Sequence, residues 1–167
     1  MIFNEEKKFV FVAIPKTGTR SVYAVLKKKY GAIQFREHWP VIPRKWRGFY
    51  KFTIVRNPYD RFVSMWWSTT QRPNLKGAGS NFSELAGGSD MKSLIKWMIS
   101  LSSDEVFLGK ELVSKQSKYL NANKFHLILE TETLTEDFGK KVKVVSDDEE
   151  IGIQNPTTIS TRNNGPA

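Results

Sequence analysis

Two short stretches of the sequence carry polar and charged residues where a buried strand is predicted to end. The first, PKTGTRS at 15–21, follows the apolar run FVFVAI and precedes apolar residues at helical spacing. A loop that enters a helix exposes main-chain N–H groups that no helical carbonyl accepts, and the helix dipole adds partial positive charge there. Gly18 lets the backbone approach an anion closely, and Lys16 adds a full charge. This stretch therefore predicts a binding loop for phosphate or sulfate.

The hydroxyl groups of the same stretch, on Thr17, Thr19 and Ser21, can donate hydrogen bonds to a bound anion. The usual nucleotide-hydrolase loop, G-x-x-x-x-G-K-[ST], places its lysine directly after a glycine. Here Lys16 precedes Gly18 by two residues, so the sequence does not favour a Mg²⁺-dependent ATPase or a nucleotide kinase. A phosphotransferase of this kind stays as an alternative, as does an ordinary turn between a strand and a helix.

The second stretch, FTIVRNPYDRFVS, again joins a predicted strand to a predicted helix. Arg56 is the last residue of the strand, and ligands of open α/β sheets bind at the carboxyl ends of the strands. Its guanidinium can bind a phosphate with two parallel hydrogen bonds, and Ser64 lies two turns into the helix. The alternative is that Arg56 pairs with Asp60 and that Ser64 faces solvent.

The apolar pattern predicts the elements that position these residues. Apolar runs indicate strands, and apolar residues at 3.6-residue spacing indicate helices. The predicted strands are 9–14, 51–56 and 124–130, and the predicted helices are 19–30, 58–70, 91–101, one or two short segments within 104–122, and 133–141. Strands that alternate with helices predict a single α/β domain of the P-loop type over residues 1–167, with a mainly parallel sheet flanked by helices. Residues 71–90 are predicted to form a flexible Gly/Ser-rich loop and residues 143–167 an irregular tail.

The composition excludes several classes of protein. The 167 residues include no cysteine, which excludes disulfides, thiolate catalysis and cysteine-bound zinc. No apolar run approaches the roughly 18 residues that span a bilayer. The N-terminus also lacks the apolar segment of a secretory signal. We therefore expect a soluble, cytoplasmic protein without a membrane partner.

The positive charge of the chain is concentrated in one half. Residues 1–72 hold 15 Lys and Arg against 4 Asp and Glu, whereas residues 73–167 hold 11 against 13. The basic half contains both polar stretches. This asymmetry predicts an anionic ligand, unless the basic face is merely solvated.

A basic module that binds nucleic acid or another polyanion is a further alternative, which we do not favour. Trp39 and Trp46 lie beside the basic run RKWR at 44–47, and exposed tryptophans can stack on bases or sugars. Trp66 and Trp67 follow the apolar face of a predicted helix, and we expect them to pack in the core.

Together, FVAIPKTGTRS and FTIVRNPYDRFVS strongly resemble the sulfotransferases that use 3′-phosphoadenosine 5′-phosphosulfate (PAPS). The pattern looks most like the branch of carbohydrate sulfotransferases such as the heparan sulfate 2-O enzymes. QSKYL at 116–120 and LILETETLTEDF at 127–138 occur in the order that this branch shows. The resemblance covers roughly residues 8–140.

The resemblance implies a role for each polar stretch. The residues that would bind the 5′-phosphosulfate are Lys16, Thr17, Gly18, Thr19, Arg20 and Ser21. Arg56 and Ser64 would bind the 3′-phosphate, and Lys16 would also stabilise the leaving oxygen. The scheme requires no metal ion. The implied partner is an acceptor with a hydroxyl group, with an anionic saccharide slightly favoured by the basic run.

Sulfuryl transfer to a hydroxyl also needs a base, and the chain has two histidines. His126 lies inside a predicted strand, where a packed or edge histidine is expected. His38 falls between the two stretches, in the region where the family has its catalytic histidine, and is therefore the predicted base. Glu37 is the reserve candidate, while Glu130 and Glu132 are expected near the cleft as structural or substrate contacts.

The sequence also departs from the family pattern. Arg20 stands where similar loops have a small hydroxyl residue. The tail NPTTISTRNNGPA could hold further nucleotide contacts, with Arg162 as a weak candidate. Animal carbohydrate sulfotransferases carry a membrane anchor and a longer C-terminal region, neither of which is visible in this sequence.

Overall fold

Three parallel strands bring their carboxyl ends to one edge of a mixed sheet. In a computed structural model, which describes residues 1–70, 87–101 and 114–142, five strands pair in the order β3-β1-β2-β4-β5. They are β1 (Ile2–Asn4), β2 (Phe9–Val12), β3 (Ile33–Gln34), β4 (Tyr50–Val55) and β5 (Leu127–Glu130). In the parallel part, Phe9 lies opposite Tyr50 and Phe52 opposite Leu127.

The helices begin and end close to the predicted positions. They are α1 (Thr19–Tyr30), α2 (Pro58–Thr70), α3 (Met91–Ser100), α4 (Gln116–Asn121) and α5 (Leu134–Lys141), with a 3₁₀ turn at Arg44–Trp46. Gly31 ends α1 with a left-handed φ of 59°, and its N–H reaches the Leu26 and Lys27 carbonyls. Asn57 caps the start of α2, where its Oδ1 accepts the N–H of Tyr59 at 3.0 Å.

The prediction of a mainly parallel sheet is wrong, because two of the four strand pairs described are antiparallel. β1 runs antiparallel to both β2 and β3, with Ile2 opposite Phe11 on one side and Gln34 on the other. A turn at 5–8, with Lys8 at a left-handed φ of 49°, reverses the chain between β1 and β2. β1 and β3 are only three and two residues long, too short to show a strand pattern in the sequence.

Strand β2 is covered on both faces, as its continuous apolar run predicts. Successive side chains of a strand point to opposite faces, so the core divides into two clusters. The first cluster includes Phe9, Phe11, Phe52, Val22, Leu26, Leu134 and Phe138, and joins the sheet to α1 and α5. The second includes Val10, Val12, Ile14, Trp46 and Tyr119. Burying each such side chain contributes roughly 1.5–3 kcal/mol, which holds the end of β2 firmly in place.

A third cluster joins α2 to α3 around Met65 and Leu94. Trp66 packs against it, and its indole N–H donates to the Ser89 carbonyl at 2.9 Å. Trp67 is 42% exposed, so the prediction that both tryptophans pack in the core is wrong for Trp67, because the cluster covers only part of the helix surface.

The other boundaries shift by a few residues. The predicted strand 9–14 ends at Val12 and the predicted strand 124–130 begins at Leu127. Residues 71–86 of the predicted flexible loop and the whole predicted tail, including Arg162, lie outside the described residues.

Candidate active site

The stretch PKTGTRS connects β2 to α1 at the carboxyl edge of the parallel strands. Lys16 and Gly18 adopt left-handed φ angles of 68° and 80°, and Gly18 is the N-cap of α1. A Cβ added to Gly18 would lie 3.4 Å from Cδ2 of Leu134. The first turn of α1, fully described here, carries no acidic side chain. Residues 15–21, which we call the anion loop, therefore lie at the positive end of a helix dipole, where negative charge is favoured.

The polar side chains of the anion loop differ in exposure. Thr17 is fully buried, and its hydroxyl donates to the Ile14 carbonyl at 2.9 Å. Thr19 is also buried, whereas Ser21 is half-buried and Arg20 is exposed. In this conformation the hydroxyl of Thr17 stabilises the loop itself.

Arg56 brings the second polar stretch to the anion loop. It directly follows β4, and its Nη1 donates to the Lys16 carbonyl at 3.4 Å. Among the described residues no ion pair joins Arg56 to Asp60. The alternative in which Arg56 pairs with Asp60 therefore does not hold in this conformation. Arg56, the first residue after β4, thus lies beside the anion loop, which follows the neighbouring parallel strand β2.

Arg61 also belongs to this site, although it was not predicted from the sequence. Its Nε donates to the Pro15 carbonyl at 2.9 Å and its Nη2 to the Ser114 carbonyl at 3.0 Å. Burial lowers the pKa of Arg61, but a guanidinium stays charged at neutral pH. The spacing offered one signal, because Arg61 stands one turn before Ser64 on the same helix face. Ser64, which is half-buried, therefore lies on the face of α2 that is turned toward the anion loop.

His38 lies against the strand that leads into the anion loop. Its Nδ1 is 3.0 Å from the Ala13 carbonyl oxygen. A carbonyl oxygen can only accept, so Nδ1 carries the proton and Nε2 is the unprotonated nitrogen of the neutral ring. The ring is thus held in the tautomer that can take a proton at Nε2.

Glu37 lies close enough to act on the charge of His38. Its Oε1 is 3.6 Å from Nε2 of His38, and the two side chains are 55% and 22% exposed respectively. A carboxylate at this distance favours the imidazolium that forms when Nε2 takes up a proton. The geometry therefore gives Glu37 a charge-stabilising position beside the histidine.

A family model decides the class of the protein. The model of the sulfotransferase family matches residues 1–163. The chain belongs to the sulfotransferase family. Searches of curated proteins and of solved structures return no match. The family assignment makes the protein a transferase that moves sulfuryl groups, and it gives no support to a nucleotide kinase or a nucleic-acid-binding module.

Left-handed backbone is concentrated at the site of this sulfotransferase. The described non-glycine residues with positive φ are Lys8, Lys16, Arg36 and His38. Lys8 lies in the turn between β1 and β2, whereas Lys16 lies in the anion loop and Arg36 lies beside His38. Side chains rarely adopt this conformation, and strain of about 1–3 kcal/mol per residue persists mainly where the surrounding structure imposes it.

The remaining histidine and glutamates lie at the edge of the sulfotransferase sheet. Nδ1 of His126 accepts the N–H of Lys51 at 3.0 Å, and the ring stacks on Tyr50. This contact confirms the expected edge histidine. Glu132 accepts the N–H of Asn57 at 2.8 Å, which is a structural contact next to Arg56, whereas Glu130 is exposed at the end of β5.

The two tryptophans of the basic region differ sharply. Trp46 is 1% exposed, stacks on Phe3 at 4.0 Å between ring centres, and donates from Nε1 to Glu5 at 3.2 Å. It cannot stack on a ligand in this position, so that part of the prediction is wrong. Trp39 is 39% exposed and adjoins His38.

Membrane-spanning helices and metal-binding clusters are both absent from the described residues. No helix among residues 1–70, 87–101 and 114–142 has the length and apolar character needed to cross a membrane. The same residues contain no group of three or more His, Cys, Asp or Glu side chains placed to hold a metal ion.

Proposed function

We propose that this sulfotransferase transfers the sulfuryl group of PAPS to an acceptor hydroxyl, with His38 as the general base. The observation that carries the proposal is the contact between Nδ1 of His38 and the Ala13 carbonyl. It ties the base to the strand that leads into the anion loop, and it sets the proton-accepting tautomer. A base fixed beside an anion-binding helix start suits transfer of an anionic group to a hydroxyl.

The residues of the two polar stretches fit the two anionic ends of PAPS. We assign the 5′-phosphosulfate to the anion loop and the start of α1, where Gly18 is the left-handed N-cap. We assign the 3′-phosphate to Arg56 and Ser64, because a guanidinium matches phosphate geometry and Arg56 already contacts the loop. When bound, PAPS supplies a sulfuryl group activated by its link to a phosphate oxygen.

In the proposed reaction the chain supplies a base, charge stabilisation and position. Nε2 of His38 takes the proton of the acceptor hydroxyl as that oxygen attacks the sulfuryl group. Glu37, 3.6 Å away, stabilises the resulting imidazolium. Lys16 and the main-chain N–H groups of the anion loop stabilise the negative charge that develops on the leaving phosphate oxygen. Catalysis of this kind depends mainly on positioning and electrostatics.

For the acceptor we propose a carbohydrate hydroxyl, on a saccharide that carries negative charge. The support is the excess of Lys and Arg in residues 1–72 and the exposed Trp39 beside His38. The guanidinium of Arg36 lies 5.0 Å from the centre of the Trp39 ring. An aromatic face next to a cation suits a sugar ring with an anionic substituent. The resemblance to the heparan sulfate 2-O branch points the same way.

A thermal-shift experiment tests the donor. Adenosine 3′,5′-bisphosphate at about 100-fold over its Kd stabilises a protein by roughly 2.7 kcal/mol. For a chain of this length that raises the Tm by about 5–10 °C. Adenosine 5′-monophosphate, which lacks the 3′-phosphate, should give a clearly smaller shift. Equal shifts with the two nucleotides, or none with either, would contradict the proposed donor.

Matched arginine variants locate the 3′-phosphate. Arg56→Ala should remove most of the shift with the bisphosphate and leave the shift with the monophosphate nearly unchanged. Arg44→Ala removes an exposed arginine from the basic run and should change neither. Transfer of radiolabelled sulfate from PAPS to a panel of charged and neutral saccharides then tests the acceptor, and equal transfer to both kinds would contradict the charged class.

A further inference from the structure

Helix α4 contacts Arg56 through a pair of hydrogen bonds to its main chain. The Arg56 N–H donates to Oε1 of Gln116 at 2.9 Å, and Nε2 of Gln116 donates to the Arg56 carbonyl at 2.7 Å. One side-chain amide thus binds both main-chain polar groups of the residue at the end of β4. These bonds orient the backbone from which the Arg56 side chain departs.

The same helix contacts the loop that carries His38. The hydroxyl of Tyr119, a residue only 1% exposed, donates to the His38 carbonyl at 3.1 Å. Just beyond the helix, Oδ1 of Asn123 accepts the Ile42 N–H at 3.2 Å, and its Nδ2 donates to the Pro40 carbonyl. We call residues 36–42 the histidine loop. α4 and the turn after it therefore bind the histidine loop at three main-chain groups.

The backbone of the histidine loop needs such support. His38 has a φ of 55° and Arg36 a φ of 39°, both in the left-handed region that side chains rarely adopt. A strained conformation persists only where its surroundings impose it. For His38 those surroundings are the Ala13 carbonyl at the ring and the Tyr119 hydroxyl at the main chain.

We infer that α4 positions both halves of the site: Gln116 orients Arg56, and Tyr119 orients His38. Neither residue touches the reacting atoms in this scheme, so both are positioning residues. The assignment of distinct catalytic effects rests on the proposed function, in which Arg56 binds the donor and His38 is the base. The orientation of the imidazole by Tyr119 does not depend on that function and can be tested without measuring turnover.

NMR of the histidine rings tests the Tyr119 contact directly. The chain has two histidines, so His126, at the sheet edge, is an internal control. In Tyr119→Phe, which keeps the buried ring and removes one donated hydrogen bond, the ring signals of His38 should shift. The signals of His126 should stay in place. If the His38 signals are unchanged, Tyr119 does not position the ring and the inference fails.

Kinetics and nucleotide binding separate the two positioning roles. Tyr119→Phe should lower kcat about 10- to 100-fold, as misplacement of a base can, and should change the thermal shift with adenosine 3′,5′-bisphosphate much less than Gln116→Met does. Gln116→Met, of similar size but without the amide, should at least halve that thermal shift. Ser117→Ala, at an exposed position on the same helix, should alter neither. Equal losses of kcat and nucleotide binding in both variants would show a merely structural helix.

Two further measurements distinguish a variant that fails to fold from one that has lost a positioning contact. The ligand-free Tm of each variant shows whether it folds. If Tyr119→Phe does not fold, the ring signals of His38 are measured in Asn123→Ser, which alters the contact at the other end of the histidine loop. A wild-type protein without any shift from the bisphosphate would contradict the proposed donor. The NMR comparison of His38 and His126 would still decide whether α4 positions the imidazole.

Discussion

Nδ1 of His38 lies 3.0 Å from the main-chain carbonyl oxygen of Ala13, a fully buried residue 25 positions earlier in the chain. Ala13 directly follows β2, and the anion loop begins two residues later. The imidazole is therefore anchored to the end of the strand that leads into the anion loop. An acceptor hydroxyl beside His38 and an anionic donor at the start of α1 would therefore be held by the same part of the sheet.

The two histidines should be opposite tautomers when neutral. Nδ1 of His38 faces a carbonyl oxygen and must carry a proton, whereas Nδ1 of His126 accepts the Lys51 N–H and must not. Long-range ¹H–¹⁵N correlation spectra recorded at alkaline pH, where both rings are neutral, distinguish the tautomers. The same tautomer at both rings would contradict the geometry of the site.

Loss of the base should abolish turnover and spare donor binding. His38→Ala is expected to lower kcat by about 10²–10⁴-fold, the usual contribution of a general base, with little change in the thermal shift from the bisphosphate. Glu37→Gln, which removes only the neighbouring charge, should have a smaller effect. If Glu37→Gln loses turnover to the extent expected of His38→Ala, while His38→Ala itself retains activity, Glu37 is the base.

Any side chain at position 18 should lower the stability of the fold and the nucleotide affinity. Gly18→Ala places a Cβ at a φ of 80° and in contact with Leu134, so we expect a loss of roughly 1–2 kcal/mol in the free energy of unfolding. The anion loop should also lose affinity for the bisphosphate. Gly48→Ala is the control, because no atom lies within 4 Å of an added Cβ there and its φ is ordinary. Urea unfolding with and without nucleotide measures both effects, and similar behaviour of the two variants would count against the loop geometry.

Removing the hydroxyl of Tyr23 should stabilise the fold. This hydroxyl is buried and has no hydrogen-bond partner among the described residues, and such a group costs about 1–3 kcal/mol. Tyr23→Phe should thus raise the free energy of unfolding by about 1 kcal/mol at pH 7, measured by urea unfolding. A decrease would mean that the hydroxyl is bonded in solution.

The same residue predicts a stability change at alkaline pH. Burial, aided by the charge of Glu37, raises the pKa of Tyr23 above its ordinary value of 10.0. The unfolded chain then releases this proton at lower pH than the folded chain, so stability falls as pH rises above about 10. Tyr23→Phe should reduce this loss. Burial also raises the pKa of Tyr50, so part of the loss remains, and an unaltered alkaline slope would contradict the prediction.

Arg61 should contribute to both stability and donor binding. Arg61→Met leaves the Pro15 and Ser114 carbonyls without this donor, at a cost of roughly 2 kcal/mol or more. The anion loop should loosen, and the bisphosphate should bind more weakly. Arg61→Lys keeps the charge but loses the planar guanidinium, so its stability and nucleotide affinity should lie between those of wild type and Arg61→Met. Full nucleotide binding in a folded Arg61→Met protein would limit this arginine to a structural role.

Local pattern was sufficient for the elements that carry the site. Phe9 to Ile14 form one continuous apolar run, and Asn57-Pro58 and Gly31 are strong start and stop signals, so the bounds of α1 and α2 were predictable from neighbours in the chain. The anion loop was recognisable for the same reason, since a glycine and a lysine between a strand and a helix act through the local backbone.

Short strands and buried partners were not predictable in this way. β1 exists because a turn at 5–8 places it beside β2, and β3 exists because the chain after α1 returns beside β1. Two or three residues carry no period of their own. Trp46 looked like a ligand-stacking residue beside three cations, yet Phe3 and Phe35 enclose it. Both outcomes depend on residues distant in sequence.

The sequence by itself determined the family of the protein, whose model matches residues 1–163. It also indicated the two polar stretches, because strand-loop-helix signals are local. Only the tertiary structure decided how the stretches meet. Arg56 reaches the Lys16 carbonyl, His38 the Ala13 carbonyl, and α4 both Arg56 and His38. These contacts join positions 25 to 81 residues apart, and their distances are set by sheet order and core packing, which no local pattern encodes.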